Sequence, residues 1–363
     1  MISAPTTVKE DEYEDLMSFL EESYRHPKGF FQHRYPARWA RERVDYESCF
    51  IIREGGRIAS HVRVNPLRLV SGGREITVGG IGAVATHPDF RGRGHMRMLM
   101  THTSHVMRSR GYPFAVLWGN RQRYLHFGYE RCCCETAYSV TPRSADNTDS
   151  MVTRYNGEQS FLDTVISLHD AEPQRVVRTP ADYKAMLERA DAETFIANGG
   201  SGAAYVILFN KAGGRCMAEV GGAASAVPAL LSRVIRECRL DEIIIHRLLE
   251  ENALSHALYA TSESWGWYPY VSLKILNLKG TLEFFSNQLY AKRERLGIPS
   301  EGAVTFKILE TGECATVNLS GGRACVTGES SGKIVELSEP DMVRRLFGLP
   351  GALEFYIPML DHV

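Results

Sequence analysis

The sequence predicts a mixed α+β protein built from several packed units. Three patterns carry that expectation. A strand-like run from Ile76 to Ala85 passes through a glycine-rich basic turn into a helical pattern. Short strands divided by Gly-rich turns precede it, and helical and strand-like stretches alternate after it. At 363 residues the chain is long enough for roughly two or three domains.

Composition narrows the class. The chain is 44% hydrophobic and 23% charged, ordinary for a globular protein. A net charge of −1 supplies no global basic field, so neither nucleic acid nor an anionic membrane is an expected partner. No apolar run reaches transmembrane length and no signal-peptide core opens the sequence, which points to the cytoplasm. Eight cysteines include the run Cys132-Cys133-Cys134, but no C-x-x-C spacing appears. The expectation is reduced thiols, alternate members buried in a strand, and no metal site.

Taken in order, residues 8–26 predict an amphipathic helix with Tyr13, Leu16, Met17, Leu20 and Tyr24 on its apolar face. His26 to Trp39 predicts a loop and a short helix over an opening, or aromatic packing under a long loop. Cys49–Arg53 and Ile58–Val64 predict strands around Gly55-Gly56, and Ser71-Gly72-Gly73 turns into the strand that begins at Ile76. The helix after the basic turn carries Met96, Leu99, Met100, Thr103, Val106 and Met107 on one face and stops at Gly111 and Pro113. Between strand and helix, Arg91-Gly92-Arg93-Gly94-His95-Met96-Arg97 suits a phosphate: glycines allow close approach, free helix N–H groups point at an anion, and three arginines add charge. Phe114–Trp118 predicts a strand parallel to the one before the helix, and a splay between them would open a cleft between Thr86 and Gly119.

Residues 141–158, with Pro142 and Asn147, read as a linker. Helices are expected at Phe161–Asp170, Ala181–Asp191 and Ala226–Glu237, with strands at Ala204–Asn210, Cys216–Val220 and Glu242–Ile245 and a further helix over Glu250–Trp265. Here Glu219-Val220-Gly221-Gly222 is followed by no R-G-x-G. His246 and His256 have no metal spacing. From residue 300, strands are expected at Thr305–Leu309, Ala315–Ser320 and Arg323–Thr327, then a strand from Val335 and a short helix capped by Ser338.

The string V-A-T-H-P-D-F-R-G-R-G, Val84 to Gly94, resembles the coenzyme A pyrophosphate loop of the GNAT N-acetyltransferases. That resemblance implies acetyl-CoA as co-substrate, held by Val84, Ala85 and Thr86 along the strand and by Arg91, Gly92, Arg93, Gly94, His95, Met96 and Arg97 around the turn. Met96 stands where the family has a small residue. Asn120 loosely matches a coenzyme-lining position. Tyr124-x-x-Phe127-Gly128-Tyr129 resembles the second signature and makes Tyr124 the counterpart of the general acid. An unperturbed tyrosine, with a pKa near ~10, holds its proton at neutral pH and can donate to a departing thiolate.

The order of units resembles the Eis-like (enhanced intracellular survival) N-acetyltransferases. It implies a catalytic GNAT domain over residues 1–145, a degenerate GNAT-like domain over 146–285 and a sterol-carrier-protein-like α/β domain over 286–363. The implied reaction is direct attack by a primary amine, through a tetrahedral intermediate, on the thioester. The acceptor would be a small-molecule amine, aminoglycoside-like or lysine-like. The implied base is the α-carboxylate of Val363, with Glu22 or Asp45 through water as substitutes, and the implied assembly is a homo-oligomer such as a hexamer. Transfer of a longer acyl chain, or non-catalytic lipid or acyl-CoA carriage, are the competing functions.

Overall fold

In the computed structural model, residues 2–145, 151–199, 202–348 and 352–362 are described. Asn147 of the expected linker and Val363, the expected base, lie outside them.

The fold is mixed α+β, with a large sheet carrying most of the chain. Among the described residues this sheet has 13 strands. It begins Thr6–Thr7, Cys49–Glu54, Arg57–Ser71, Arg74–Thr86, Phe114–Leu117, all but the last pair antiparallel. It continues Ser264–Ile275, Glu130–Val140, Glu242–Leu248, Arg215–Gly222, Gly202–Ala212, Glu193–Gly199, Val152–Arg154. Arg175–Val176 pairs off this path, onto Arg57–Ser71. A second sheet has four strands in the order Arg323–Thr327, Cys314–Ser320, Gly302–Ile308, Lys333–Leu337.

Two parallel pairs matter for function, each joined by one helix. Arg74–Thr86 crosses through helix His95–Ser109 to Phe114–Leu117, and Arg215–Gly222 crosses through Val227–Glu237 to Glu242–Leu248. The first helix ends in a Schellman motif: Tyr112 N–H donates to the Met107 carbonyl at 3.0 Å and Gly111 N–H to Arg108 at 3.0 Å. Its buried face holds Leu99, Met100, Thr103 and Met107, as the periodicity predicts, with Met96 and Val106 half-buried.

Three expectations need correction. The helix over Glu250–Trp265 is only Ala253–Thr261, because Ser264–Ile275 is a strand. Its run of Trp265, Trp267, Tyr268 and Tyr270 has strong strand propensity, and it inserts between Phe114–Leu117 and Glu130–Val140. The strand expected at Ile58–Val64 runs from Arg57 to Ser71. The three adjacent cysteines are all buried rather than alternating. Cys133 has φ of 53° and drops out of the pairing, Val271 opposing Cys132 and Pro269 opposing Cys134. All eight cysteines are free thiols. Ser338 caps helix Glu339–Phe347 by accepting from Asp341 N–H, as the sequence predicts. That helix docks on the first unit through Glu130, whose carboxylate takes Arg121 and Arg344 together. No described helix is long and apolar enough to cross a membrane.

Candidate active site

The basic turn folds as its residues dictate. Pro88–Phe90 form a short 3₁₀ turn, and Gly92 and Gly94 take φ of 78° and 82°, the left-handed region that glycine enters without strain. Helix His95–Ser109 starts at Gly94 with no side-chain cap, so the N–H groups of its first turn are free for an anion. Arg91 and Arg97 are exposed and make no ion pair among the described residues; Arg91 Nε donates to the Thr86 carbonyl at 3.2 Å. Arg93 is engaged, pairing with Glu54 and donating to the Asp89 carbonyl at 3.0 Å. His95 is buried with Nε2 2.8 Å from Glu54, so what it offers the cleft is its backbone N–H. A cavity of about 460 Å³ opens here, lined by Val84, Ala85, Thr86, the turn, Met96, Tyr24 and Arg123. The pattern fits a pyrophosphate.

The strand above the turn splays. Its parallel pairing ends at Ile81↔Leu117, so residues 82–86 have no partner strand on that side. On the other side the register shifts between His61 and Arg63, a bulge centred on Ala83 (φ 47°) and Val84. His61 Nδ1 lies 2.8 Å from the Ala83 carbonyl and secures the bulge. Burial pushes the His61 pKa down to about 4, so the ring is neutral. The Tyr24 hydroxyl donates to the Val84 carbonyl at 2.9 Å.

Asn120 caps the short helix Arg121–Leu125, its side chain accepting from Arg123 N–H at 3.1 Å. Tyr124 is 7% exposed, and its ring lies so close over Gly119 that a Cβ there would meet Tyr124 Cε2 at 2.4 Å. Burial raises the Tyr124 hydroxyl pKa, opposed by Arg123. Tyr24 and Arg123 form the cavity wall on this side; Tyr124, the predicted acid, interacts with both but is not itself among the lining residues. Tyr24 has its own pKa raised by burial and, next, by Tyr124.

A second cavity, of about 560 Å³, lies on the far side of Tyr24. Its walls are the aromatic segment Phe30–Trp39, the bulged strands through Arg63, Asn65 and Ala83, and the tail through Met359, Leu360 and His362. Tyr24 lines both cavities. Sequence reasoning put Tyr24 on the core face of its helix; it is 40% exposed, at the helix end, where the 3.6 period no longer dictates burial.

The tail is held along its length. Phe355 packs against Phe114, the rings tilted with centroids 5.3 Å apart, and the Phe355 carbonyl accepts from Tyr270 at 3.0 Å. Arg178 donates to Asp361 at 2.6 to 3.1 Å and to Glu219 at 2.6 and 2.8 Å. His362 stacks on Trp118, centroids 3.9 Å apart, and burial pushes its pKa down to about 3. Glu22 and Asp45 line neither cavity: Glu22 faces His87 at 3.1 Å in a separate hollow, and Asp45 accepts from Ser48. Among the described residues no set of three His, Cys, Asp or Glu side chains converges as metal ligands.

Residues 5–132 match the family described as acetyltransferase (GNAT) domain. No curated protein matches the sequence. Solved structures share the fold nearly end to end. A probable N-acyltransferase of unknown function from Enterococcus faecalis V583 superposes with a TM-score of 0.74 at 17% identity, covering 95% of this chain and 89% of that one. A GCN5-related N-acetyltransferase from Kribbella flavida gives 0.71 at 17%, covering 94% and 89%. Eis1 from Mycobacterium abscessus gives 0.64 at 13%, covering 94% and 88%. At these identities the likeness is one of fold: this chain has a GNAT-like mixed α+β architecture.

Proposed function

We propose that the chain is an acetyl-CoA-dependent N-acetyltransferase acting on a primary amine. One observation carries this: a cavity at a glycine–arginine helix N-terminus meets a second cavity at Tyr24, beside a strand stretch with no partner strand on that side. Acetyl-CoA bound in the first cavity supplies an activated acetyl thioester. The N–H groups of the turn and first helical turn, with Arg91 and Arg97, hold the pyrophosphate. The stretch Val84, Ala85 and Thr86, without a partner strand on that side, is assigned to the pantetheine and, through main-chain N–H, to the thioester carbonyl. Tyr124, its hydroxyl pKa raised by burial, is assigned to donate to the departing thiolate, on the strength of the motif and of its place beside Tyr24 and Arg123, which wall the cleft. The base implied by the family resemblance, the α-carboxylate of Val363, is one residue beyond His362, and the docked tail supports that assignment. The domain layout of 1–145, 146–285 and 286–363, the sterol-carrier-like character of the last unit and the hexamer-like assembly rest on the same resemblance, and the cytoplasmic location is carried over from the sequence reading.

Thiol release from acetyl-CoA with a panel of primary amines tests the activity. Tyr124→Phe should lower kcat about a hundredfold and leave coenzyme affinity unchanged, because the hydroxyl acts as the thiolate forms. A fusion after Val363 should suppress kcat while an amino-terminal fusion does not. Amine-independent thiol release, or none, would contradict the proposal; a Tyr124→Phe variant of full activity would remove the acid from it.

A further inference from the structure

The acceptor cavity is cationic. Arg34, Arg38, Arg63 and Arg189 line it, and among the described residues no aspartate or glutamate does. One carboxylate, Asp191, is shared by Arg34 and Arg189. Asp182 is taken by Arg43 at 2.7 Å, Glu21 by the Gly29 N–H at 2.7 Å and Asp361 by Arg178. Arg38 and Arg63 form no ion pair among the described residues.

Arg63 is the unusual one. It is 4% exposed, stacked 4.5 Å from the centre of the Trp39 ring, with one terminal nitrogen donating to the Arg38 carbonyl at 2.7 Å and a buried Nε that has no partner. Among the described residues this buried guanidinium has no counter-ion; such a group is costly to keep, and, with the Val363 carboxylate assigned to the amine, its natural completion is an anion on the acceptor. Arg38 stands beside it, and Trp39, Phe30 and Tyr35 supply apolar wall.

We infer that the acceptor amine also carries an anionic group, a carboxylate or one of like charge on a small aromatic or apolar frame, which docks on Arg63 and Arg38. This rests on the amine-acetyltransferase assignment above and narrows it. The same charge disfavours an ammonium, so it turns away polycations such as aminoglycosides and holds the bound amine in the neutral form that attacks.

The test is calorimetric binding to the full chain of 4-(aminomethyl)benzoate, its uncharged amide 4-(aminomethyl)benzamide, phenylalanine and phenylalaninamide, and an aminoglycoside, with acetyl transfer to each measured in parallel. The anionic members should bind roughly tenfold or more tighter than their amides, as a charge-assisted arginine–carboxylate contact gives. Arg63→Gln and the half-buried Arg38→Gln should each erase that preference; the comparison within the wild-type chain needs neither variant to fold. Equal affinity for acid and amide, no binding of any anionic member, or tighter binding of the aminoglycoside would overturn the inference. Anion-selective binding with no transfer to any amine and no coenzyme binding would instead overturn the acetyltransferase assignment alone. Transfer without anion selectivity would do the reverse.

Discussion

The two parallel strand–helix–strand crossovers of the large sheet have the same topology and opposite fates. In the first, pairing stops at Ile81↔Leu117 and the splay is an open cavity of about 460 Å³. In the second, pairing stops at Ala218↔Ile245 and the hollow beyond it is about 10 Å³. The Val84 carbonyl takes a tyrosine hydroxyl on the cavity wall; the Val220 carbonyl takes Arg247 at 3.0 Å, itself paired with Glu172 at 2.8 Å. Arg178, Glu219, Asp361, Tyr205 and Tyr356 fill the rest. The first helix begins at Gly94 with arginines and free N–H groups, the second at Val227 with Pro228 in its first turn and no basic turn before it. A splayed parallel pair is therefore only an opportunity. The residues that come after the strand decide whether it becomes a cleft for a ligand or a socket for the tail, and here the socket fixes the tail that walls the acceptor cavity.

The strongest way to break the comparison is to empty the socket. Arg178→Met leaves Glu219 and Asp361 as buried carboxylates without a cation, and should cost about 3–5 kcal/mol in urea unfolding. Burial raises the Glu219 carboxyl, but Arg178 more than offsets it and holds it at about 2, so the Arg178–Glu219 pair stabilises the fold above the ordinary carboxylate range and is lost as pH falls toward 2, whereas Asp361, which burial raises despite Arg178, works in the opposite direction. A loss below about 1 kcal/mol would mean that the tail is held elsewhere. Next in size, Gly94→Val forces a β-branched residue to φ of 82° and should weaken coenzyme A binding roughly tenfold. The matching Gly222→Val, whose Cβ would meet the Ala203 carbonyl oxygen at 2.4 Å, should cost stability and leave coenzyme affinity unchanged. Equal effects of both on binding would contradict the division of labour. The smallest effect concerns one buried neutral histidine beside each crossover, His61 against the Ala83 carbonyl and His169 at the second hollow. Burial lowers His61 to about 4 and His169 to about 3, against ~6.5 in the unfolded chain. The unfolded state binds more protons between those values, so stability falls on acidification, by roughly 0.7 kcal/mol for each histidine between pH 7 and 6. A stability that rises over that interval would contradict it.

The legible parts of the molecule were those set by local rules. The basic turn, the helix from His95 to its Gly111 stop, and the Ser338 cap depend on φ, period and capping within a few residues, and they stand where the residues predict. The rest depends on partners distant in sequence. Nothing near Trp265 tells that Ser264–Ile275 will wedge between Phe114–Leu117 and Glu130–Val140. Arg178 and Asp361 are 183 positions apart, and each alone reads as an ordinary surface charge. Arg63 lies in a strand whose other residues are nearly all buried, so an arginine at 4% exposure was the available signal of a ligand-facing cation, but only a pattern unbroken from Arg57 to Ser71 would have exposed it. Tyr24 escaped notice because the helix period that put it in the core ends one residue later, at Arg25.

Calorimetric titration of the full chain with coenzyme A tests the contrast between the two crossovers most directly. One equivalent per chain is expected, with affinity reduced roughly tenfold or more by Arg91→Ala and by Gly94→Val. Two equivalents per chain, or one whose affinity neither substitution alters, would contradict the assignment of the open cleft to the coenzyme.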